Sequence, residues 1–201
     1  MAIVNRGFKG RGQQAGAGLI PPGQYLVEDF PVLTAGPTPH TPLEKWDFTI
    51  VDEVGTMASR WGWAEFQALP AEDITVDIHC VTKWSKLGTT WRGVSVDTLL
   101  QNVETSAEYV VAFADGGYTT NLPLADVVDG QAWVAYGYDG EALEDEHGGP
   151  ARLLVPHLYF WKSAKWVRGL RLMNEDEPGF WESVGYHNYG DPWREQRYWG
   201  D

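Results

Sequence analysis

Cys80 is the single cysteine of the chain, and it ends the run Ile74-Thr-Val-Asp-Ile-His-Cys80. Beyond it the sequence turns polar, cationic and aromatic in Val81-Thr82-Lys83-Trp84-Ser85-Lys86-Leu87-Gly88. One thiol excludes an internal disulfide, so Cys80 is either buried filler, the common fate of a free cysteine, or a residue kept for metal or redox chemistry. His79 is adjacent, but consecutive strand residues point to opposite faces, which separates it from the thiol. A structural zinc site needs paired ligand spacing, and one Cys with five dispersed His does not supply it; His-Glu-x-x-His is absent too. No hydrolase nucleophile elbow is present either. The remaining metal chemistry is a thiolate that gives one bond to a redox metal whose other ligands come from a cofactor, with Lys83, Lys86 or Arg92 favouring the ionised sulfur.

Charge distribution supports an anion near this thiol. The net charge is −13, yet Ile78–Val96 contains no acid while holding Lys83, Lys86 and Arg92. His147–Asn174 is acid-free as well and holds Arg152, Lys162, Lys165, Arg168 and Arg171. Eight of the fifteen Lys and Arg residues therefore occupy two windows of an acidic chain, a pattern expected of an internal anion site. The plainer alternative is that each cation reaches solvent separately along its own stem.

These residues need strands and turns to position them. Twelve prolines and 23 glycines predict many short elements rather than a long helical bundle. Trp46, Phe48 and Ile50 alternate as in a strand, Arg60–Leu69 reads as a short helix stopped by Pro70, and Ile74, Val76, Ile78 and Cys80 share one face of the next strand. Ser95 is positioned to cap a helix running to about Val103. Further strands are expected at 109–114, 118–122, 133–138 (turned by Asp139-Gly140), 152–155 and 167–173, with a short helix at 123–128. The fold class is α+β, with mixed, mostly β sheets and short helices. Residues 1–24, rich in Gly, Gln and Ala, read as a flexible or extended arm, Phe30–Pro42 as an ordered proline-rich loop, and residues 25–201 as a single domain. The aromatic stretch from Phe180 to Asp201 reads as a cover over the core or a wall of a site.

Three segments carry a resemblance. They are His79-Cys80-Val81-Thr82-Lys83-Trp84, His147-Gly148-Gly149-Pro150-Ala151-Arg152-Leu153-Leu154-Val155-Pro156, and Lys162-Ser163-Ala164-Lys165-Trp166-Val167. Between about Phe30 and Trp193 the chain resembles the molybdopterin-dependent oxidoreductase domain of the sulfite oxidase family. The resemblance implies that the Cys80 thiolate binds molybdenum, with the pterin dithiolene and oxo or hydroxo groups as the other ligands. It makes His147, Arg152, Ser163 and Lys165 candidates for holding the pterin and its phosphate, Arg152 as a bidentate fork and Lys165 as a point charge. His40 in the proline loop and Asp115 after the 109–114 strand are further cofactor-contacting candidates. Tyr186, five residues after Trp181, matches an active-site tyrosine of sulfite oxidases and is the candidate proton donor or hydrogen-bond partner in the substrate pocket. Those enzymes also place an arginine shortly after the cysteine; here Lys83 followed by Trp84 stands there, which keeps charge but not bidentate geometry.

The implied cofactor is molybdenum with molybdopterin, and the implied reaction is two-electron oxygen-atom transfer to or from a sulfur-type substrate, anionic or a sulfoxide. No stretch corresponds to the dimerisation or haem domains of larger sulfite oxidases, so a monomer with a separate electron-transfer partner is expected. The acidic balance opposes nucleic-acid binding, no apolar run reaches the length of a membrane span, and no secretory signal opens the chain, so a cytoplasmic location is expected. A non-catalytic domain that binds an anion or cofactor, and a metal-free thiol redox enzyme, are the competing functions.

Overall fold

The computed structural model describes residues 19–201. Eleven strands and two short α-helices follow in chain order: β1 (Tyr25–Leu26), β2 (Asp47–Val51), β3 (Met57–Gly62), α1 (Trp63–Gln67), β4 (Glu72–His79), β5 (Trp84–Ser95), α2 (Val96–Leu100), β6 (Tyr109–Ala114), β7 (Thr119–Pro123), β8 (Trp133–Tyr138), β9 (Glu141–Ala142), β10 (Arg152–Leu154) and β11 (Val167–Met173). One sheet runs β1-β5-β8-β10, with β4 paired to β5 and β9 to β8; the second runs β3-β2-β11-β6-β7. The expected α+β class with predominant strands is what the chain adopts.

The main core lies between the sheets, where Phe48 and Ile50 of β2, Val110 and Ala112 of β6, and Leu170 and Leu172 of β11 meet Val94, Val134 and Leu153 of the first sheet. Strand alternation then sends their neighbours to the opposite face. Ala135 and Leu154 join Ile74, Ile78, Cys80, Trp84 and Trp91 in a second buried cluster, covered by Tyr159, Phe160 and Trp161. The first sheet is thus buried on both faces, and the thiol lies in the smaller cluster.

Local chemistry explains the elements that differ from the pattern. Residues 60–62 are strand, because Thr49 and Phe48 of β2 pair with Arg60 and Trp61; the helix starts only at Trp63, where Glu65 Oε2 accepts Gly62 N–H at 2.8 Å. Ser95 caps α2 as expected, its Oγ accepting Thr98 N–H at 3.2 Å, but the helix ends at Leu100. The 123–128 segment forms a single 3-10 turn at Leu124–Asp126. The twelve-residue β5, the centre of the first sheet, was not legible because it is polar. Several of its buried polar groups are paired: Thr89 Oγ1 donates to Val76 O at 2.5 Å and receives Trp91 Nε1 at 2.8 Å, and Ser85 Oγ bonds His79 Nδ1 at 2.8 Å. Residues 1–18 of the expected arm lie outside the described residues. Its last residues are tied down, since Gln24 Nε2 donates to Cys80 O at 3.1 Å and Arg197 donates to Pro22 O at 3.3 Å, and β1 just beyond pairs in parallel with Trp84–Ser85 of β5. Among the described residues no helix is long and apolar enough to cross a membrane.

Candidate active site

The thiol sits on a tight hairpin. Lys83 N–H donates to Cys80 O at 2.9 Å and Cys80 N–H to Trp84 O at 2.8 Å, closing the β4–β5 turn. Lys83 takes φ 79°, a left-handed conformation that favours glycine and costs a side chain about 1 kcal/mol. Its side chain is exposed. Cys80 is 8 % exposed, and its Sγ accepts a hydrogen bond from Thr82 Oγ1 at 3.1 Å. Burial pushes the Cys80 thiol up, opposed by the Thr82 hydrogen bond and by the charge of Lys165. Gln24 Nε2 donates to the Cys80 carbonyl at 3.1 Å, so the end of the expected arm props the turn from behind. His79 points away, toward Ser85 and the edge of Trp193.

His147-Gly148-Gly149-Pro150 forms a second tight loop. Gly148 has φ 111°, and a Cβ there would lie 3.1 Å from Cβ of Arg152 and from Lys165. A Cβ on Gly149 would lie 2.2 Å from Leu143 O. Only glycines let this loop lie so close to Lys165, Arg152 and the Leu143 backbone. His147 stacks on Phe30 (centroids 4.0 Å apart, 11° between planes), and its buried Nδ1 has no hydrogen-bond partner among the described residues. Burial, Lys165 and Arg152 together hold the His147 imidazole below its usual range.

Arg152 is 1 % exposed. Its terminal nitrogens donate to His147 O at 2.7 Å and Ser163 O at 2.8 Å, and its guanidinium lies 4.0 Å from the Phe160 ring centroid. The expected open fork is therefore turned onto two main-chain carbonyls, so that Arg152 ties the two motif segments together while contributing charge. Burial draws it down to about 9. Ser163 Oγ accepts Val155 N–H at 2.9 Å. Lys165 Nζ donates to Leu33 O at 2.9 Å and Glu146 O at 2.6 Å, and burial, then the repulsion of Arg152, lowers it to about 8.

Tertiary structure sorts the eight cations of the acid-free windows. Arg92 pairs with Asp73, Lys162 with Glu182, Arg168 with Asp47 and Asp115, and Arg171 with Glu177. Lys83, Lys86, Arg152 and Lys165 have no carboxylate partner among the described residues. Arg152 and Lys165 are two such cations, buried and half-buried, and the charges of Lys165 and Cys80 act on each other. Tyr186 belongs to the same place: it stacks on Trp181 (4.9 Å, 19°), meets Trp161 edge-on at 5.0 Å, and is pushed up to about 12 by burial, then Tyr198, then Cys80. The Trp181–Tyr186 spacing is thus a stacking contact.

His40 and Asp115 engage other partners. His40 is exposed and bonds Asp145 Oδ2 at 2.6 Å, at the outer side of the His147 loop. Asp115 accepts from Thr41 Oγ1 at 2.6 Å and pairs with Arg168 at 3.0 Å, bracing the proline-rich loop against β11. Residues that sequence reasoning passed over include Gln24, Phe30 and Thr82. A hydroxyl two residues after the thiol in a turn was a usable signal for Thr82; Gln24 and Phe30 offered none, since only the fold brings them to Cys80 and His147.

Residues 35–181 match the family described as the oxidoreductase molybdopterin binding domain. An uncharacterized oxidoreductase of Bacillus subtilis (strain 168), YuiH, is 42% identical over 191 residues, covering 92% of this chain and 94% of that protein. The protein-methionine-sulfoxide reductase catalytic subunit MsrP of Pseudomonas syringae pv. tomato is 28% identical over 167 residues, covering 73% of this chain and 49% of that protein; the chain spans about half the length of this relative. Among solved structures, the sulfane dehydrogenase SoxCD from Paracoccus pantotrophus is similar in fold, with TM-score 0.61 and 19% identity over 69% of this chain and 41% of that one. The three motif segments meet around one buried thiol, and the family match spans most of the described chain: the protein belongs to the oxidoreductase molybdopterin binding domain family.

Proposed function

We propose that this molybdopterin-binding oxidoreductase reduces a sulfoxide-type substrate, with Cys80 as the one protein ligand to molybdenum. The observation that carries the reading is the pair Arg152, buried, and Lys165, half-buried and acting on the Cys80 thiol, neither of which forms an ion pair with a carboxylate among the described residues. Buried cations of this kind need an anion to offset their dehydration. A pterin phosphate and a dithiolene bring such charge, and the unpartnered buried Nδ1 of His147 offers a further polar contact. The residues present therefore fit the group: Cys80 would hold the metal, and His147, Arg152, Ser163 and Lys165 would line the pterin. When bound, the cofactor supplies two-electron redox chemistry, with an oxygen atom passing from or to the substrate.

The chain's own groups do the rest. Thr82 Oγ1 donates to the sulfur and Lys165 lends positive charge, both favouring the thiolate that a metal requires against a burial that favours the thiol. That burial argues against a metal-free thiol enzyme, whose cysteine needs a lowered pKa. Tyr186, pushed up to about 12, keeps its proton at neutral pH and acts as a hydrogen-bond donor to the substrate oxygen. Its walls, Trp161, Trp181 and Tyr198, suit a neutral thioether or sulfoxide better than a sulfite dianion, and Lys83 alone lacks a fork for that dianion. Reduction of a sulfoxide to a thioether and water consumes two electrons and two protons. The electrons come from a separate reductant, in keeping with relatives named as catalytic subunits.

The test begins with elemental analysis of protein made in a molybdate-competent host. Stoichiometric molybdenum, lost in Cys80→Ser, is expected, together with turnover of methionine sulfoxide by a reduced viologen and little oxidation of sulfite by ferricyanide. Absence of molybdenum from the unaltered protein overturns the reading; sulfite turnover without sulfoxide turnover reverses its direction.

A further inference from the structure

Lys162 and Glu182 form an ion pair at 2.7 Å in which each side chain is 1 % exposed. Neither residue reaches the thiol, and a pair buried so completely is poor evidence of stabilisation, since dehydration of both charges offsets their attraction. What the pair touches is more telling. A single carboxylate oxygen, Glu182 Oε1, accepts from Lys162 Nζ, from Trp161 Nε1 at 2.8 Å and from Thr120 Oγ1 at 2.8 Å. Trp161 is the ring that meets Tyr186 edge-on at 5.0 Å. Glu182 itself follows Trp181, the ring on which Tyr186 stacks, and opens the short turn whose carbonyl at Trp181 accepts Tyr186 N–H at 3.0 Å. Lys162 Nζ also donates to Asn188 O at 2.7 Å, two residues beyond Tyr186. On the other side, Lys162 directly precedes Ser163 and lies three residues before Lys165.

We infer that Glu182, held by Lys162, is a positioning residue that fixes Tyr186 relative to the cofactor-anchoring segment. The carboxylate clamps one aromatic wall of Tyr186 through Trp161 and carries the other through the backbone at Trp181, while the lysine fastens both to the strand-to-loop segment bearing Ser163 and Lys165. A hydrophobic pair of equal volume would fold as well but would have no direction; three donors converging on one oxygen admit one arrangement of the Trp161 ring. Glu182 Oε2 is buried without a partner among the described residues, an energetic cost that a purely structural pair would have little reason to retain.

The inference rests on the role proposed for Tyr186, and the test separates the two. Turnover of methionine sulfoxide by the molybdenum-loaded protein is compared for Tyr186→Phe, Glu182→Gln, Trp161→Phe and the double variants Tyr186→Phe/Glu182→Gln and Tyr186→Phe/Trp161→Phe. Molybdenum content and the near-ultraviolet circular dichroism of cofactor-free protein are measured in parallel. Trp161→Phe keeps an aromatic side chain but removes the N–H aimed at Glu182 together with part of the indole, and it stays informative where Glu182→Gln fails to fold. Glu182→Gln and Trp161→Phe are expected to lower kcat by roughly ten- to a hundredfold, with KM and molybdenum content retained. They should alter the aromatic circular dichroism and produce no further loss of kcat in the Tyr186→Phe background. Losses that multiply with that of Tyr186→Phe, or that track molybdenum content, overturn the positioning role. A Tyr186→Phe variant with full kcat instead removes the proposed role of Tyr186 and the inference with it.

Discussion

Replacing Arg152 by Met asks whether a buried cation is kept for the fold or for what the fold binds. Arg152 is 1 % exposed, has no carboxylate partner among the described residues, and is drawn down to about 9 by burial. A cation whose pKa in the folded state lies below its unfolded value destabilises the fold at every pH below the folded value, and the cost fades only as the pH rises past about 9. At 1.36 kcal/mol per tenfold change in proton affinity, that cost is on the order of 3–5 kcal/mol at neutral pH. Methionine removes it, together with the guanidinium's contacts over the Phe160 and Trp91 rings, and leaves an apolar chain in their place. Against this, the carbonyls of His147 and Ser163 lose their donors, at about 1–3 kcal/mol each. The opposing contributions are comparable, so urea unfolding of cofactor-free protein should shift by no more than about 2 kcal/mol in either direction. Molybdenum content of protein from a competent host should fall by about tenfold or more, since a charged contact and the link between two anchoring segments disappear together. A loss above roughly 4 kcal/mol with undiminished molybdenum would refute the argument and make Arg152 a structural residue.

Two further outcomes follow from the same geometry. Gly149→Ala should destabilise the protein by roughly 1–3 kcal/mol in a denaturant titration, because the new methyl meets Leu143 O at 2.2 Å and backbone cannot swing aside; a shift within a few tenths would show that the loop yields. Sulfate, whose charge is constant near neutrality, should protect cofactor-free protein in a thermal-shift assay less well as the pH rises through about 8, where Lys165 loses its proton. Without sulfate the sign reverses: above about 8 the unfolded chain binds more protons at this lysine than the folded one, so stability rises with pH. Lys165→Met should abolish both trends, and a sulfate effect that ignores pH in the unaltered protein would remove Lys165 from the anion site.

Several strands were readable from alternation alone. β6, β8 and β11 lie where apolar residues alternate or run together between turn residues, and Ser95 caps α2 through a local hydrogen bond that needs no distant partner. β5 was not readable, because burial of a polar strand depends on partners such as Val76 O and His79 that other strands deliver. Arg60–Gly62 became strand for the same reason: pairing with β2 outweighed a helical pattern.

By itself the sequence determined the chemistry on offer: one thiol, two acid-free cationic windows, and the glycine-bearing His147 and Lys165 motifs, all of which are properties of residue type and spacing. Only the tertiary structure decided which charges remain available. Ion pairing acts through space, mostly between residues far apart in the chain, so Asp73, Asp47, Asp115, Glu177 and Glu182 neutralise Arg92, Arg168, Arg171 and Lys162, while Arg152 and Lys165 form no ion pair among the described residues. It also turned the Arg152 fork onto carbonyls and brought Gln24, Phe30 and Tyr186 to the thiol and its anchoring loop, contacts that no local spacing encodes.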